Sequence, residues 1–414
     1  MAKYDVLLYG ATGFTGTLTA RYLDTHAALA GRRWAIAGRT QAKLEALSAE
    51  LTASNPGVVC VSLEDAAAVE AMVKSSKVVL TCAGPYSAYN GKALLGCCAQ
   101  NGVHYSDLAG EGFWQREMID EFDAAARASG AKIVLGGGVD SIPSDLGTQL
   151  ALSTLRPMAG GAVSVRSVYT QYTGSFSGGT LNSGRATKKA KREGRLTEER
   201  ANDPYILAPE MGAAFSGPDA AAAPSGMPAG WKRSWCSAGY LLLMDFFMAP
   251  VNARVVRRSL ALQGVAAETS YSECCTLSMW GRALCVWASR GFGYFVGDPI
   301  KLKPKSGEGP PDWLLKCGAF TVNVTACEQA TGSTSTVVVR GAGDPGYGAT
   351  SKMLAETGLC LALDDLSTGP AEGKAGGVLT PSTALGELLV TRLEQAGRHV
   401  HVLCCRRQQK CVRS

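Results

Sequence analysis

The 414 residues carry 18% charged and 46% apolar side chains, which excludes an intrinsically disordered chain and supplies enough apolar material for two domains. The formal charge is only +6; the basic residues are dispersed and no homeodomain, finger or RNA-sheet motif occurs, so no nucleic-acid partner is expected. The 14 cysteines form no CxxC, and the vicinal pairs Cys97–Cys98, Cys274–Cys275 and Cys404–Cys405 lack zinc-ligand spacing, so no metal site is expected.

The chain opens on a strand, which leaves no room for a signal or transit peptide and predicts a cytoplasmic, reducing setting. The apolar run Val6 to Tyr9 stops at Gly10, Gly13 and Gly16 follow at every third position, and helical character sets in from there. This is the strand, glycine turn and helix start of a dinucleotide-binding βαβ unit. It makes Gly10, Thr12, Gly13, Phe14, Thr15 and Gly16 candidates for holding a pyrophosphate, with a plain tight turn as the alternative reading. A second apolar run, 34–37, ends in Gly38 and Arg39, where such folds read the adenosine ribose. An acidic residue there would suit NAD. Arg39 stands there instead, with Thr40 and Lys43 close behind, and a guanidinium forks onto a phosphate, so NADP(H) is the expected cofactor.

Helical and strand-like runs then alternate: helices over 41–51, 65–74, 91–101 and 113–129, strands near 58–61, 78–81, 104–107 and 132–135. That alternation predicts a parallel, doubly wound sheet with its ligand at the carboxyl ends of the strands. The segments 82–86, 107–111 and 136–144 are therefore the candidate functional stretches. Ala83, Gly84, Pro85 and Tyr86 follow the fourth strand, where a nicotinamide ribose should lie. Tyr86 reads either as a proton donor or as a packed aromatic that orients the ribose. Asp140 and Ser141 follow a glycine run at the seam between domains and are further catalytic candidates; the alternative is a helix start capped by Ser144 and Asp145. Asp107 is read as fixing its loop, and His104 as a packed histidine.

After Pro143 the pattern changes. A helix over 144–155 precedes an alternating run, 162–172, with Val163, Val165, Ser167, Tyr169 and Gln171 on one face. A Gly/Ser-rich stretch, 174–184, feeds a basic helical segment, 185–195, and 197–232 reads as surface loop. An antiparallel hairpin is predicted over 320–340, a glycine-rich turn over 341–348, a helix over 349–363, and a last helix over 382–395 with Thr380 as its N-cap. The apolar stretches 240–251 and 283–296 are too short or too broken to span a bilayer. They suit burial, a homodimer interface or a lipid surface. His399 and His401 share a strand face, which reads as polar surface more readily than as a metal site. The tail over 404–414 interleaves cysteines with basic residues, as a lipid-anchored or a frayed terminus would.

The motifs GATGFTG (10–16), AGR (37–39), CAGPY (82–86), GVDSIPSDLG (138–147), GGT (178–180), GYG (346–348) and LTPSTALG (379–386) occur in that order. Together they resemble the saccharopine dehydrogenase-like oxidoreductases, the group that includes the trans-acting enoyl reductases of glycolipid synthesis. The resemblance runs over essentially the whole chain. It implies an α/β fold: an N-terminal NADP-binding Rossmann domain with a doubly wound parallel sheet (1–143), a second α/β domain with a largely antiparallel sheet (144–348), and a C-terminal helix in 349–414 that returns to the first domain. It implies reduction of a small-molecule or acyl-chain substrate, an enoyl group being the leading expectation, in lipid or glycolipid metabolism. The alternatives are a saccharopine-type amino-acid dehydrogenase and a non-catalytic protein of a lipid-droplet or membrane surface.

Overall fold

Near-continuous apolar runs, each closed by a glycine or a helix cap, fold as strands buried on both faces. The computed structural model describes residues 2–174, 178–214, 232–236, 239–265, 267–276, 309–310, 312–396 and 400–405. Its first half holds β1 (Tyr4–Tyr9), β2 (Trp34–Gly38), β3 (Gly57–Cys60), β4 (Ser76–Thr81), β5 (His104–Ser106) and β6 (Lys132–Val134). Its second half holds β7 (Val163–Thr173), β8 (Lys232–Cys236), β9 (Gly239–Asp245), β10 (Thr269–Thr276), β11 (Ala319–Glu328), β12 (Thr334–Ala342), β13 (Gly377–Leu379) and β14 (Val400–Cys405).

Among the described residues these make two seven-stranded sheets. The first is all parallel, in the order β13-β6-β5-β4-β1-β2-β3, the doubly wound Rossmann arrangement. Chain order reverses between β1 and β4, which opens the crevice at their carboxyl ends where ligands bind in such sheets. The second, β14-β12-β11-β7-β10-β9-β8, is antiparallel except where β10 runs parallel to β7. Val163, Val165, Ser167 and Tyr169 share the buried face of β7, as their alternation predicts.

The C-terminal part comes back to the first sheet. Helix Thr350–Leu363 lies across β4, β5 and β1, and Gly358 permits it, because a Cβ there would sit 2.5 Å from Leu80. Glu356, 1% exposed, pins this helix to helix Phe14–Asp24: it accepts from Tyr22 Oη at 2.5 Å and pairs with His26 Nε2 at 2.8 Å. One hydrophobic core consequently runs from the β1–β4 face through this helix into the second sheet.

Several expectations need correcting. The strand β13 is not among the predicted elements, since three residues are too short to show a period, and only its pairing with β6 defines it. The last helix breaks in two, Pro381–Ala384 and Glu387–Gln395, because Gly386 takes φ +51° where a Cβ would strike Pro370. Thr380 does cap the first piece, in a capping box with Thr383. The stretch read as loop over 197–232 contains helices Glu198–Asn202 and Pro209–Ala214 within its described part. The apolar stretch 240–251 is β9 followed by the start of helix Ala249–Leu262, with Leu243 and Phe246 buried. The stretch 283–296, His399 and residues 406–414 lie outside the described residues. Among those described, no helix is long and apolar enough to cross a membrane.

Candidate functional site

The glycine turn is shaped for a dinucleotide. Gly10 takes φ +77° and lies so close to the loop after β4 that a Cβ would be 2.9 Å from the Ala83 nitrogen. At Gly16 a Cβ would run into the Gly10 carbonyl and the Ala11 backbone. Gly13 is the N-cap of helix Phe14–Asp24, so no side chain caps it, and the first turn carries no acidic residue. The leading amides of that helix, beside half-buried Thr12, Phe14 and Thr15, keep their hydrogen-bonding capacity and the positive end of the helix dipole for a phosphate. Arg39, Thr40 and Lys43 are exposed at the carboxyl end of β2. The Arg39 guanidinium stands 5.8 Å from the centre of the Tyr89 ring, itself 44% exposed. A phosphate-bearing adenosine fits this set: two open planar groups, one of them a cation, beyond an uncapped helix.

The loop after β4 carries the next candidates. Ala83 donates its N–H to Thr81 Oγ1 at 3.2 Å, and the peptide bond between Gly84 and Pro85 is cis. Tyr86 is corrected here as a proton donor. Its hydroxyl donates to the Thr81 carbonyl at 3.0 Å and accepts from Leu108 N–H at 3.0 Å, its ring stacks on Trp114, and it is 4% exposed. Burial pushes its phenol well above the usual tyrosine range. It is the packed aromatic of the alternative reading and holds the loop. Glu111 holds the same loop from below, accepting from the backbone N–H groups of Tyr86 at 3.2 Å and Ser87 at 3.1 Å.

Asp107 and His104 are structural, as read. Asp107 is fully buried and accepts from Ala109 N–H, Gly136 N–H and Tyr105 Oη at 3.0, 3.1 and 3.0 Å. His104 Nδ1 accepts from Lys132 N–H at 3.1 Å, and burial, then nearby Lys132, lowers its ring to about 4.

The structure separates Asp140 from Ser141. Ser141 is 1% exposed, and Gly136, at φ +75°, is so close that a Cβ there would sit 2.5 Å from the serine Oγ; this hydroxyl is packed under the turn, and the expectation that it faces a substrate is corrected. Ser144 and Asp145 do not cap the helix either. Ser144 bonds Tyr169 Oη and Glu273 inside the second domain, while Asp145 accepts from Ser259 Oγ, Ser382 N–H and Ser382 Oγ. Asp140 is different. It is exposed and accepts no hydrogen bond from a described residue, yet the surrounding protein pushes its carboxyl up to about 6. The protein atoms packed around the carboxyl raise it by desolvation although part of the residue remains exposed.

Residues not singled out from sequence stand near these candidates. Tyr172, at the end of β7, is half-buried, and desolvation first, then the nearby Asp140 charge, raises its phenol well above the usual range. Its ring meets Phe246 and Phe247 edge-on, each at 5.4 Å, and Phe247 is 41% exposed. Tyr347, in the π-helical turn Pro345–Ala349, packs edge-on against Phe14 of the glycine turn at 5.3 Å. That contact brings the end of the second sheet onto the cofactor turn. A periodic pattern marked Tyr172 as strand and a glycine motif marked Tyr347 as turn, but neither signal tells which element end faces which.

A separate groove of about 780 Å³ lies at the far end of helix Ile142–Leu155, lined by residues such as Leu152, Met158, Val163 and Leu388. It contains none of the candidate residues. Among the described residues no group of His, Cys, Asp and Glu side chains could hold a metal ion.

Known proteins resemble this chain at both levels. Residues 6–134 match the family described as saccharopine dehydrogenase NADP binding domain. The trans-acting enoyl reductase of Mycobacterium tuberculosis is 33% identical over 415 residues, covering 95% of this chain and 96% of that protein. That of Mycobacterium ulcerans is 32% identical over 431 residues with the same coverage. The saccharopine dehydrogenase (L-Glu forming) of Saccharomyces cerevisiae, 12% identical, shares the fold with a TM-score of 0.50 over 97% of this chain and 99% of that one. Likeness to the enoyl reductases over nearly the full length, with residues 6–134 matching an NADP binding domain, shows that this protein is an NAD(P)-dependent oxidoreductase belonging to the saccharopine dehydrogenase-like family.

Proposed function

We propose that the protein uses NADPH to reduce an apolar, acyl-type substrate carrying an enoyl group, with Asp140 as the proton donor. The observation that carries this reading is Asp140: an accessible carboxyl, free of protein donors among the described residues, held near 6 at the seam of the two sheets. NADPH, when bound at the glycine turn, supplies the hydride. The turn's amides orient the pyrophosphate, and Arg39 takes the 2′-phosphate. Tyr172, Phe246 and Phe247 offer an aromatic wall that accepts an acyl chain and excludes water from it. Asp140 then gives its proton to the carbon beside the acyl carbonyl and is refilled from the water that reaches it.

Two further observations favour an acyl over an amino-acid substrate. The relatives at 33% identity are named for enoyl reduction. The arginines of helix Ala249–Leu262 are turned to backbone carbonyls: Arg254 to Asp203 and Ala201, Arg257 to Pro204 and Tyr271, Arg258 to Leu207 and Val378. They are thereby withdrawn from the carboxylates that a saccharopine-like substrate would present.

The test is equilibrium binding of NADPH and NADH, followed by turnover. NADPH should bind in preference to NADH, and Arg39→Ala should weaken NADPH by roughly tenfold or more, as expected for losing a charge-assisted phosphate contact of about 1.5–3 kcal/mol. Enoyl thioesters should oxidise NADPH and saccharopine should not reduce NADP. Turnover on saccharopine alone would overturn the substrate assignment.

A further inference from the structure

Glu111 has more partners than its loop requires. Although it stands at the N-cap of helix Gly112–Ser129, its side chain caps nothing there. One oxygen, Oε1, accepts from Tyr86 N–H at 3.2 Å and from Ser183 Oγ at 3.1 Å; the other, Oε2, accepts from Ser87 N–H at 3.1 Å. The carboxylate is 3% exposed, and among the described residues no cation pairs with it. Among the described residues its partners are thus three neutral donors, and each lost donor leaves it less well satisfied.

The three donors come from two separate elements. Tyr86 and Ser87 belong to the loop at the carboxyl end of β4, which lies across from Gly10 at the switch point. Ser183 belongs to helix Gly178–Arg192, which follows β7. Below the helix, Ala190 packs into the core of the first domain with Leu196 and Ile206. Ahead of it, the end of β7 is pressed to the other lip: a Cβ on Gly174 would sit 2.8 Å from Asp344 Oδ2 and from Pro345. A shift of the loop after β4 thus moves the carboxylate, and the carboxylate moves the hydroxyl of helix Gly178–Arg192.

We propose that Glu111 is a positioning residue that couples occupation of the cofactor site to the seating of helix Gly178–Arg192 on the first domain. The coupling rests on the reading of the glycine turn as the NADPH site. A cofactor that orders the 84–87 loop strengthens the Glu111–Ser183 bond, and by reciprocity a seated helix tightens the cofactor.

The experiment is amide hydrogen exchange over residues 183–192, with and without saturating NADPH, in the wild type, Ser183→Ala and Ser183→Thr. The wild type should show exchange slowed on the order of fivefold or more by NADPH. Ser183→Ala should lose that protection and bind NADPH more weakly by no more than the same factor. Ser183→Thr, which keeps a hydroxyl, should restore both. Protection by NADPH that is equal in the wild type and Ser183→Ala, or NADPH binding with no protection in the wild type, overturns the coupling alone. Failure of the wild type to bind NADPH overturns the cofactor reading and the coupling together.

Discussion

Asp107 and Asp140 lie at the carboxyl edge of the same sheet, and desolvation by the surrounding protein raises both carboxyls to about 6. They are opposites in every other respect. Asp107 is fully buried and saturated by three donors that tie the loop after β5 to the turn after β6. Asp140 is exposed and accepts from no described residue. A raised carboxyl therefore does not identify a catalytic group in this protein. The hydrogen-bond accounting separates the two: Asp107 is held by three donors and fixes its loops, while Asp140, bonded by no described residue, is the one proposed to exchange a proton.

The largest expected effect is on Asp140 itself. Asp140→Asn should lower kcat on an enoyl thioester by roughly 10²–10⁴-fold, the usual contribution of a positioned general acid, while NADPH affinity and thermal midpoint stay near wild type. The wild-type rate should also fall as pH rises through about 6, and that limb should vanish in the variant. If Asp140→Asn unfolds the protein and leaves the rate per folded molecule intact, the contrast with Asp107 collapses.

Asp107→Asn should give the opposite profile. The amide confronts buried N–H and O–H donors with a donor of its own, so denaturation should show a loss of about 1–3 kcal/mol. The rate per folded molecule should stay within a few-fold of wild type. Tyr86→Phe sharpens the same point at smaller scale: Leu108 N–H loses its acceptor, stability should fall by about 1 kcal/mol, and turnover should persist.

The pH dependence of stability separates the two carboxyls once more. The native Asp107 carboxyl, at about 6, holds its proton across a window in which an unfolded aspartate has released it. The native state thus binds more protons between about pH 4 and 6, and stability falls as pH rises through that window. A carboxyl lifted from the ordinary aspartate range to about 6 sets a ceiling of about 3 kcal/mol on this loss. The thermal midpoint of Asp107→Asn should change less between pH 4 and 7 than that of the wild type.

The cofactor half was legible in the sequence because its signals are local. Gly10, Gly13 and Gly16 lie within one short stretch, and their roles depend on backbone geometry within one turn, so spacing alone carries them. Arg39 is legible for the same reason, standing at a set distance along one βαβ unit. The alternation that predicts the parallel sheet is likewise a property of successive elements. The substrate half was legible only as a set of candidates. Asp140 and Ser141 are adjacent and both polar, and nothing in the chain says that one faces the cleft while the other lies under Gly136. Tyr86 sits at the expected place in the chain, but its hydroxyl is claimed by Thr81 and Leu108, the latter 22 residues away.

What the sequence by itself determined is thus the dinucleotide-binding unit and the succession of parallel strands up to β6. What only the tertiary structure decided is which side chains meet across elements. Phe14 with Tyr347, Glu111 with Ser183 and β6 with β13 are separated by long stretches of chain. Such pairings are set by how sheets and helices pack into a shared core, a sum over many distant contacts that no short window of residues encodes.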